Sequence, residues 1–351
     1  MNINTLFENI INNNFSYILL FNISMFLILN FCFYRFNILI DKKSSSSHKK
    51  FLSSDNVTYS GGLILILTIF IFNYFQNYIN LIYVFFIFVV GLLSDMRILN
   101  SSFKRLIIQC IIIILFIYNN DILISNIKIS YIDNLLENYI FPAIIFTTFC
   151  LLVLLNGSNF IDGVNLQCSG YYLSIIVCLT VFPENKFSYL SYNQISIILS
   201  FILTFVVFNF FNKNYLGDNG SYLLSFIVGI YLIEFSNNNP VSPYFIALLL
   251  WYPAYENFFS IIRRKFFSKN LVDKPDNLHL HHLIYNNFNY FYKKSLFKNN
   301  FTGVLIFLFN SLVFSIGRNY VYNSLIQVSL IIFSIVTYNL LYIYLIKKKK
   351  I

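Results

Sequence analysis

Residues 139–155 read YIFPAIIFTTFCLLVLL, a run without a charged side chain. A hydrophobic stretch of about this length crosses a bilayer where neighbouring helices shield its ends. The polar segment 156–165, NGSNFIDGVN, follows it directly. The sequence therefore predicts a membrane helix that ends at a cluster of side chains able to bind a polar ligand.

The composition of the whole chain extends this prediction. Of its 351 residues, 58% are hydrophobic and 11% are charged, whereas soluble domains carry about 25% charged residues. This excludes a water-soluble fold. The net charge of +10 does not indicate nucleic-acid binding, because the basic residues lie in short loops and not on a soluble module. We expect an all-α, polytopic transmembrane helical bundle in which residues 1–351 form a single integral membrane domain.

Eleven apolar segments are expected to cross the membrane, several of them short. They are 16–38, 61–75, 79–93, 106–119, 139–155, 170–183, 194–211, 222–236, 243–264, 301–317 and 324–346. All but three of the 24 lysines and arginines then fall on one side, the exceptions being Lys128, Lys186 and Arg318. The positive-inside rule makes the basic side cytoplasmic, with the N-terminus outside and the C-terminus inside.

The longest outer loop, residues 119–138, carries no chemical signal. Its apolar residues alternate between Ile122 and Tyr131, and this pattern predicts a short β-hairpin. The five cysteines lie in or beside apolar segments without metal-ligand spacing. We interpret them as apolar thiols.

Three aspartates, Asp95, Asp162 and Asp218, lie near span ends on the cytoplasmic side. An unpaired carboxylate near hydrocarbon costs about 2–3 kcal/mol, so a compensating cation is expected. Oxygen ligands from several loops, with no nearby cysteine, suit Mg²⁺, which substrate phosphates often complete. The competing interpretation is three solvated loop acids, which their position on one face beside glycines disfavours.

A polar series follows the fifth span. Asn156, Asn159, Asp162 and Asn165 are spaced by three, which makes successive side chains neighbours on a helix surface. They are candidates for hydrogen bonds to a nucleotide base, a ribose or a sugar. The alternative is a polar turn between two spans.

Two glycine motifs lie on the same side. Gly61 and Gly62 open a span, where their backbone N–H groups can approach a phosphate or a neighbouring helix; the two interpretations are equally supported. Gly217, Gly220 and Ser221 flank Asp218. They favour a tight turn that aims its carboxylate inward.

Three of the four histidines, His279, His281 and His282, lie in the most basic loop. Arg263, Arg264 and Lys269 precede them. Imidazoles beside these cations fit contacts to an anionic diphosphate. A metal site is the weaker alternative, because zinc normally takes spaced ligands and a water position.

In this order, the motifs resemble those of the polyprenyl-phosphate N-acetylhexosamine-1-phosphate transferases, the superfamily of WecA-type and MraY-type enzymes (glycosyltransferase family 4). The resemblance runs from about Asp55 to Tyr285. Tyr59–Gly62 resembles the P-x-x-G-G motif, with Thr58 in the proline place, and Asn156–Gly163 resembles N-x-x-N-x-x-D-G. Tyr215–Ser221 resembles F-x-G-D-x-G-S, with Tyr215 in the Phe place, and His279–His282 resembles H-x-H-H. The last form is closer to the WecA branch.

The resemblance implies an active site on the cytoplasmic face of a bacterial inner membrane. Such enzymes move a sugar 1-phosphate from a UDP-sugar to undecaprenyl phosphate, release UMP and use Mg²⁺. It implies that Asp218 binds Mg²⁺ and that Asn156, Asn159 and Asp162 bind nucleotide and active-site groups. It also implies an N-acetylglucosamine or deoxy-N-acetylhexosamine donor, a surface glycan such as O-antigen as the destination, and a homodimer.

One departure concerns the paired aspartates of the family, because Ser94 stands at the first position and Asp95 remains. The first acid is implied to act as a base on the lipid phosphate or to position it. A phosphomonoester has a second pKa near about 6, so an ionised lipid phosphate is already a nucleophile. Activity is therefore expected with Asp95 orienting the lipid phosphate or completing the metal shell. Asn165 also replaces a frequent second aspartate.

Two other functions remain open. A transporter predicts ionisable residues and broken helices near the bilayer midplane, and Glu256 in the ninth span is a partial match, which either faces the site or pairs locally. A catalytically impaired homologue is the other alternative, because of Ser94.

Overall fold

A computed structural model describes residues 15–41, 57–72, 78–180, 192–266, 278–288 and 295–349. These ranges contain thirteen helices: α1 Ser16–Phe36, α2 Gly61–Ile71, α3 Tyr78–Asp95, α4 Ser102–Asn120, α5 Ser130–Asn138, α6 Ile140–Ile161, α7 Gln167–Thr180, α8 Tyr192–Phe210, α9 Gly217–Asn238, α10 Pro243–Phe266, α11 Leu280–Asn287, α12 Ser295–Asn319 and α13 Ser324–Lys349. Two short strands, β1 Ile40–Asp41 and β2 Val57–Thr58, pair in antiparallel fashion.

Each predicted span coincides with one of eleven helices. Eight of these are long and apolar enough to cross a membrane, whereas α2, α3 and α7 are shorter apolar helices in the described ranges. The predicted all-α polytopic bundle is confirmed. The orientation of the termini stays a prediction.

Helix α9 forms the centre of the bundle. It packs against α2, α3 and α6, and its residues from Gly217 to Phe235 are nearly all buried. The outer helices have the opposite character, since Phe31 on α1 and Leu325 on α13 are 72% and 78% exposed. A lipid surround tolerates such apolar surfaces. The polar start of α9 therefore lies inside the bundle, and the apolar faces of the outer helices lie on its outside.

Two glycines let neighbouring helices touch the first turn of α9. A Cβ added at Gly62 on α2 would overlap the side chain of Asn219, and one added at Gly91 on α3 would overlap its backbone. Both glycines are buried. Of the two interpretations, phosphate contact and helix packing, these contacts support packing for Gly62. Gly61 likewise lies close to Leu216 and Tyr215.

A buried polar network holds the segment that precedes α9. Asn30 donates to Asn214 Oδ1 at 2.8 Å, Thr58 Oγ1 donates to Asn30 Oδ1 at 2.6 Å, and Asn214 donates to Ser60. The Tyr215 N–H also donates to the Thr58 carbonyl at 2.8 Å. Satisfied networks in a low-dielectric interior rigidify the backbone they join. This one fixes the approach of the chain to Gly217 and Asp218.

The predicted hairpin in the outer loop is wrong. Residues 122–129 form no strand, and helix α5 follows them. The N–H groups of Ile124 and Ile127 donate to Thr147 Oγ1 and Asp133 Oδ1 at 2.9 and 2.7 Å. Side-chain acceptors of this kind compete with strand pairing, so the alternating pattern has no partner strand here.

The close contact at Gly91 yields a stability prediction. We expect Gly91→Ala to destabilise the protein by about 1–3 kcal/mol, because the added methyl group overpacks against the Asn219 backbone. Thermal unfolding of the detergent-purified protein measures this. Gly61→Ala is the matched control, since its Cβ would lie 3.0 Å from its neighbours, and its Tm should fall less. Equal Tm values for Gly91→Ala and the wild type would contradict the contact.

Candidate active site

Asp218 lies in the first turn of α9 and receives hydrogen bonds from three other helices. Its Oδ1 accepts from Asn159 Nδ2 of α6 at 2.6 Å. Its Oδ2 accepts from Ser94 Oγ of α3 at 2.5 Å and from Arg105 Nη1 of α4 at 2.6 Å. The Asp218 side chain keeps 26% of its surface exposed. The predicted inward-aimed carboxylate is thus held in place, yet accessible.

Arg105 is a functional candidate that the sequence interpretation missed. It forms an ion pair with Asp218 and also donates to Ser94 Oγ. In the sequence it was one of many cations at a span end, where topology alone explains a positive charge. Its guanidinium can bind phosphate oxygens in a bidentate manner. The structure therefore adds a cation to the predicted acids.

Asp95 caps the start of α9. Its Oδ1 accepts the N–H of Asp218 and its Oδ2 accepts the N–H of Asn219, both at 3.0 Å; Asn219 Nδ2 adds a bond of 2.7 Å. The first N–H groups of a helix have no partner within the helix, and an acid there is stabilised by the helix dipole. Both oxygens of Asp95 therefore cap the start of α9, and its metal and lipid-phosphate roles stay predictions.

The polar series after the fifth span divides in two. Asn156 donates to Gln109 Oε1 at 3.2 Å, Asn159 reaches Asp218, and Asp162 is the residue that follows the last turn of α6. Asn165 is 2% exposed and donates to Asn300 Oδ1 at 3.0 Å. Since α6 ends at Ile161, the helical spacing does not extend to Asn165. The structure places it in a buried amide network and not beside Asp218.

The histidines lie against the end of α6. His279 and His281 stack with parallel rings 5.5 Å apart, and the ring of Phe160 lies 5.4 Å from His279. A Cβ added at Gly163 would overlap the His281 ring. The sequence prediction that the histidines and Asp162 lie close together is therefore consistent with these contacts.

His281 is a buried imidazole whose two ring nitrogens have no hydrogen-bond partner among the described residues. Burial, followed by the nearby His282, His279 and Arg263, keeps the pKa of His281 well below its usual range. The ring is therefore neutral near pH 7. Unpaired polar atoms of this kind are costly unless a ligand meets them.

The basic residues of α10 contact residues that adjoin the histidines. Arg263 is buried and donates to the Leu278 carbonyl and to Tyr342 Oη, and the Arg264 guanidinium lies 5.6 Å from the Phe160 ring centre. Both are buried, and their direct contact with a diphosphate stays a prediction. Lys269 and the segment 274–276 lie outside the described residues.

The comparison with protein families bears on these contacts. Residues 79–236 match the sequence model of Glycosyl transferase family 4. The match contains Asp95, Asn159, Asp162 and Asp218 but ends before the histidines. It supports a function of the polyprenyl-phosphate sugar-phosphate transferase kind. A comparison with curated proteins found no match.

The site offers Mg²⁺ a partial set of ligands. Within the described ranges no three His, Cys, Asp or Glu side chains are grouped so that they could hold a metal ion. Mg²⁺, however, is usually bound by one or two carboxylates together with waters and substrate phosphates. From the residues that the structure describes, Asp218 Oδ1 accepts a single hydrogen bond, and a carboxylate oxygen has two lone-pair sites. Asp218 therefore fits a one-oxygen Mg²⁺ ligand.

The cap on α9 yields a second prediction. We expect Asp95→Asn to destabilise the protein by about 1–2 kcal/mol, because the amide cannot complement the helix dipole and keeps one acceptor oxygen. The Tm in detergent measures the loss. Asp121→Asn, at an exposed left-handed position, is the control and should leave Tm unchanged. If both variants unfold at the wild-type temperature, Asp95 does not cap α9.

Proposed function

We propose that the chain transfers an N-acetylhexosamine 1-phosphate from a UDP-sugar to undecaprenyl phosphate and releases UMP, so that a lipid-linked surface glycan begins. The reaction takes place at the cytoplasmic face of a bacterial inner membrane. The observation that carries this proposal is Asp218, contacted by Arg105, Asn159 and Ser94 within the segment that matches the family. The H-x-H-H form favours the WecA branch, and the homodimer stays a prediction.

The chemistry is an in-line displacement at phosphorus. An oxygen of the lipid phosphate forms a bond to the β-phosphorus, and the bond from that phosphorus to the bridging oxygen breaks, so UMP leaves with the electron pair. Phosphoryl transfer of this kind depends mainly on positioning and charge neutralisation. Arg105 supplies a fixed positive charge beside two anions that repel each other. Asp218 would hold Mg²⁺, which neutralises further charge on the diphosphate.

Ser94 leaves the site without a free base at the position where the family has an acid. Its hydroxyl donates to Asp218 and accepts from Arg105, so both of its hydrogen-bonding directions are used. A lipid phosphate with a second pKa near about 6 is largely ionised at neutral pH. The proposal therefore needs no proton acceptor, and Asp162 serves to bind polar groups at the end of α6.

An apolar cavity lies toward the end of α9 that is farther from Asp218. It has a volume of about 310 Å³ and lies between α6, α9 and α10, with walls that include Phe149, Leu154, Gly229 and Leu250. Ile124, Ile127 and Asn237, at or next to the outer loop, also line this cavity. It therefore suits an apolar chain inside the bundle but lies away from Asp218.

The role of Asp218 is tested by substitution. We expect Asp218→Asn to lower transfer of labelled sugar phosphate to undecaprenyl phosphate at least about 100-fold, because electrostatic stabilisation of the transition state is lost. Purified protein, Mg²⁺ and a panel of UDP-sugars provide the assay and also identify the donor. Asp133→Asn on the peripheral helix α5 is the control and should stay active. Full activity of Asp218→Asn would eliminate the assigned role.

Ser94 provides a test against the impaired-homologue alternative. We expect the wild type to be active and Ser94→Asp to reach half-maximal activity at a lower Mg²⁺ concentration, because a second carboxylate would lie beside Asp218. Titration of Mg²⁺ in the transfer assay measures this, with Ser102→Asp on α4 as a control for added charge. An inactive wild type together with an active Ser94→Asp variant would show that the chain is catalytically impaired.

A further inference from the structure

Helix α10 carries a carboxylate that the proposed chemistry leaves without a role. Glu256 is fully buried, where a charged group is costly unless it is paired and hydrogen-bonded. Its Oε1 lies 2.8 Å from His279 Nδ1, and its Oε2 accepts from Tyr338 Oη of α13 at 2.7 Å. Of the two sequence alternatives, Glu256 therefore pairs locally, and its partner is the first histidine of the motif.

The pair belongs to a stripe on one face of α10. Glu256, Ser260 and Arg263 are spaced by four and three residues, which places them on the same side of a helix. Ser260 Oγ lies 3.3 Å from His279 Nδ1, and Arg263 donates to the carbonyl of Leu278. Three successive turns of α10 thus hold the two residues that precede the histidine helix α11. An apolar span needs no such stripe for insertion, so the contacts point to a requirement for the position of His279.

We propose that Glu256 is a positioning residue that acts through His279. A carboxylate cannot donate, so Nδ1 of His279 carries the proton in this contact. The hydrogen bond at one ring nitrogen determines what the other nitrogen can do. With Nδ1–H held by Glu256, the orientation of the His279 ring toward the UDP-sugar is fixed. This inference rests on the proposed function.

The effect reaches beyond one ring. His279 stacks on His281 at an interplanar angle of 8°, and His281 in turn fits against Gly163 beside Asp162. Because these side chains are in contact, a loss of the Glu256 anchor would change the placement of both imidazoles. Glu256 therefore sets the geometry of the histidine half of the site from a position that no substrate contacts.

Glu256→Gln tests the proposal, because glutamine keeps the size of the side chain and removes the charge. We expect kcat for sugar-phosphate transfer to fall about 10- to 100-fold, as for other residues that orient a ligand-binding histidine, with Tm close to that of the wild type. Glu234→Gln, which removes a half-buried acid on α9, is the matched control and should keep wild-type kcat. Wild-type kcat in Glu256→Gln would overturn the proposal.

A double substitution distinguishes positioning from a general effect on the fold. In a His279→Gln background, Glu256→Gln should cause no further loss of kcat, because the two residues act as one unit. An equal fold-loss in both backgrounds would show that Glu256 acts independently of His279 and would overturn the proposal. If Glu256→Gln alone does not fold, the double variant, whose two amides can bond each other, is compared with His279→Gln in the same way.

Ring-nitrogen NMR of ¹⁵N-histidine-labelled protein tests the pairing without any activity. The wild type should show a protonated Nδ1 for His279, assigned by the resonance lost in His279→Gln, and Glu256→Gln should shift it whereas Glu234→Gln should not. An unprotonated Nδ1 would overturn the pairing. If the wild type transfers nothing from any UDP-sugar, the proposed function fails, and this spectrum alone then decides whether Glu256 holds His279.

Discussion

The carboxylate of Asp95 accepts the first free N–H groups of α9, and the candidate site depends on this contact. Without it, the start of the most buried helix would leave its amides unsatisfied in an interior that contains little water. Gly62 and Gly91 allow α2 and α3 to approach closely enough for the contact to form. The buried network around Asn30 and Asn214 brings the chain to the same place from the other side. The elements that contact the start of α9 therefore together fix the position of Asp218.

Two contacts made by carboxylates organise the two halves of the site. Asp218 and Arg105 join α9 to α4, whereas Glu256 and His279 join α10 to α11. Helix α6 lies between them, since Asn159 reaches Asp218 and the next residue, Phe160, contacts the His279 ring. Charges that would be expensive singly in a membrane protein are thus used in pairs. The arrangement leaves a polar region at one end of an otherwise apolar bundle.

The helices could be predicted from the sequence because apolar runs report burial or lipid contact directly, and each predicted span matches a helix. Placing these span ends on one side predicts that the motifs meet, and Asn159 contacts Asp218 while Phe160 contacts His279. The capping role of Asp95 and the ion pair of Arg105 could not be predicted, because each joins residues more than a hundred positions apart in the chain. Asn165 misled the interpretation for a local reason: the spacing of three continued in the sequence after the helix had ended.

The hydrogen bond from Tyr338 to Glu256 connects the last helix with the site. Helix α13 lies outside residues 79–236, which match the family model. A change at position 338 nevertheless alters the acceptor capacity left for His279. Positions 256, 279 and 338 thus form a unit whose members are expected to co-vary among relatives. Residue 338 of α13 is therefore expected to change together with the first histidine of the motif.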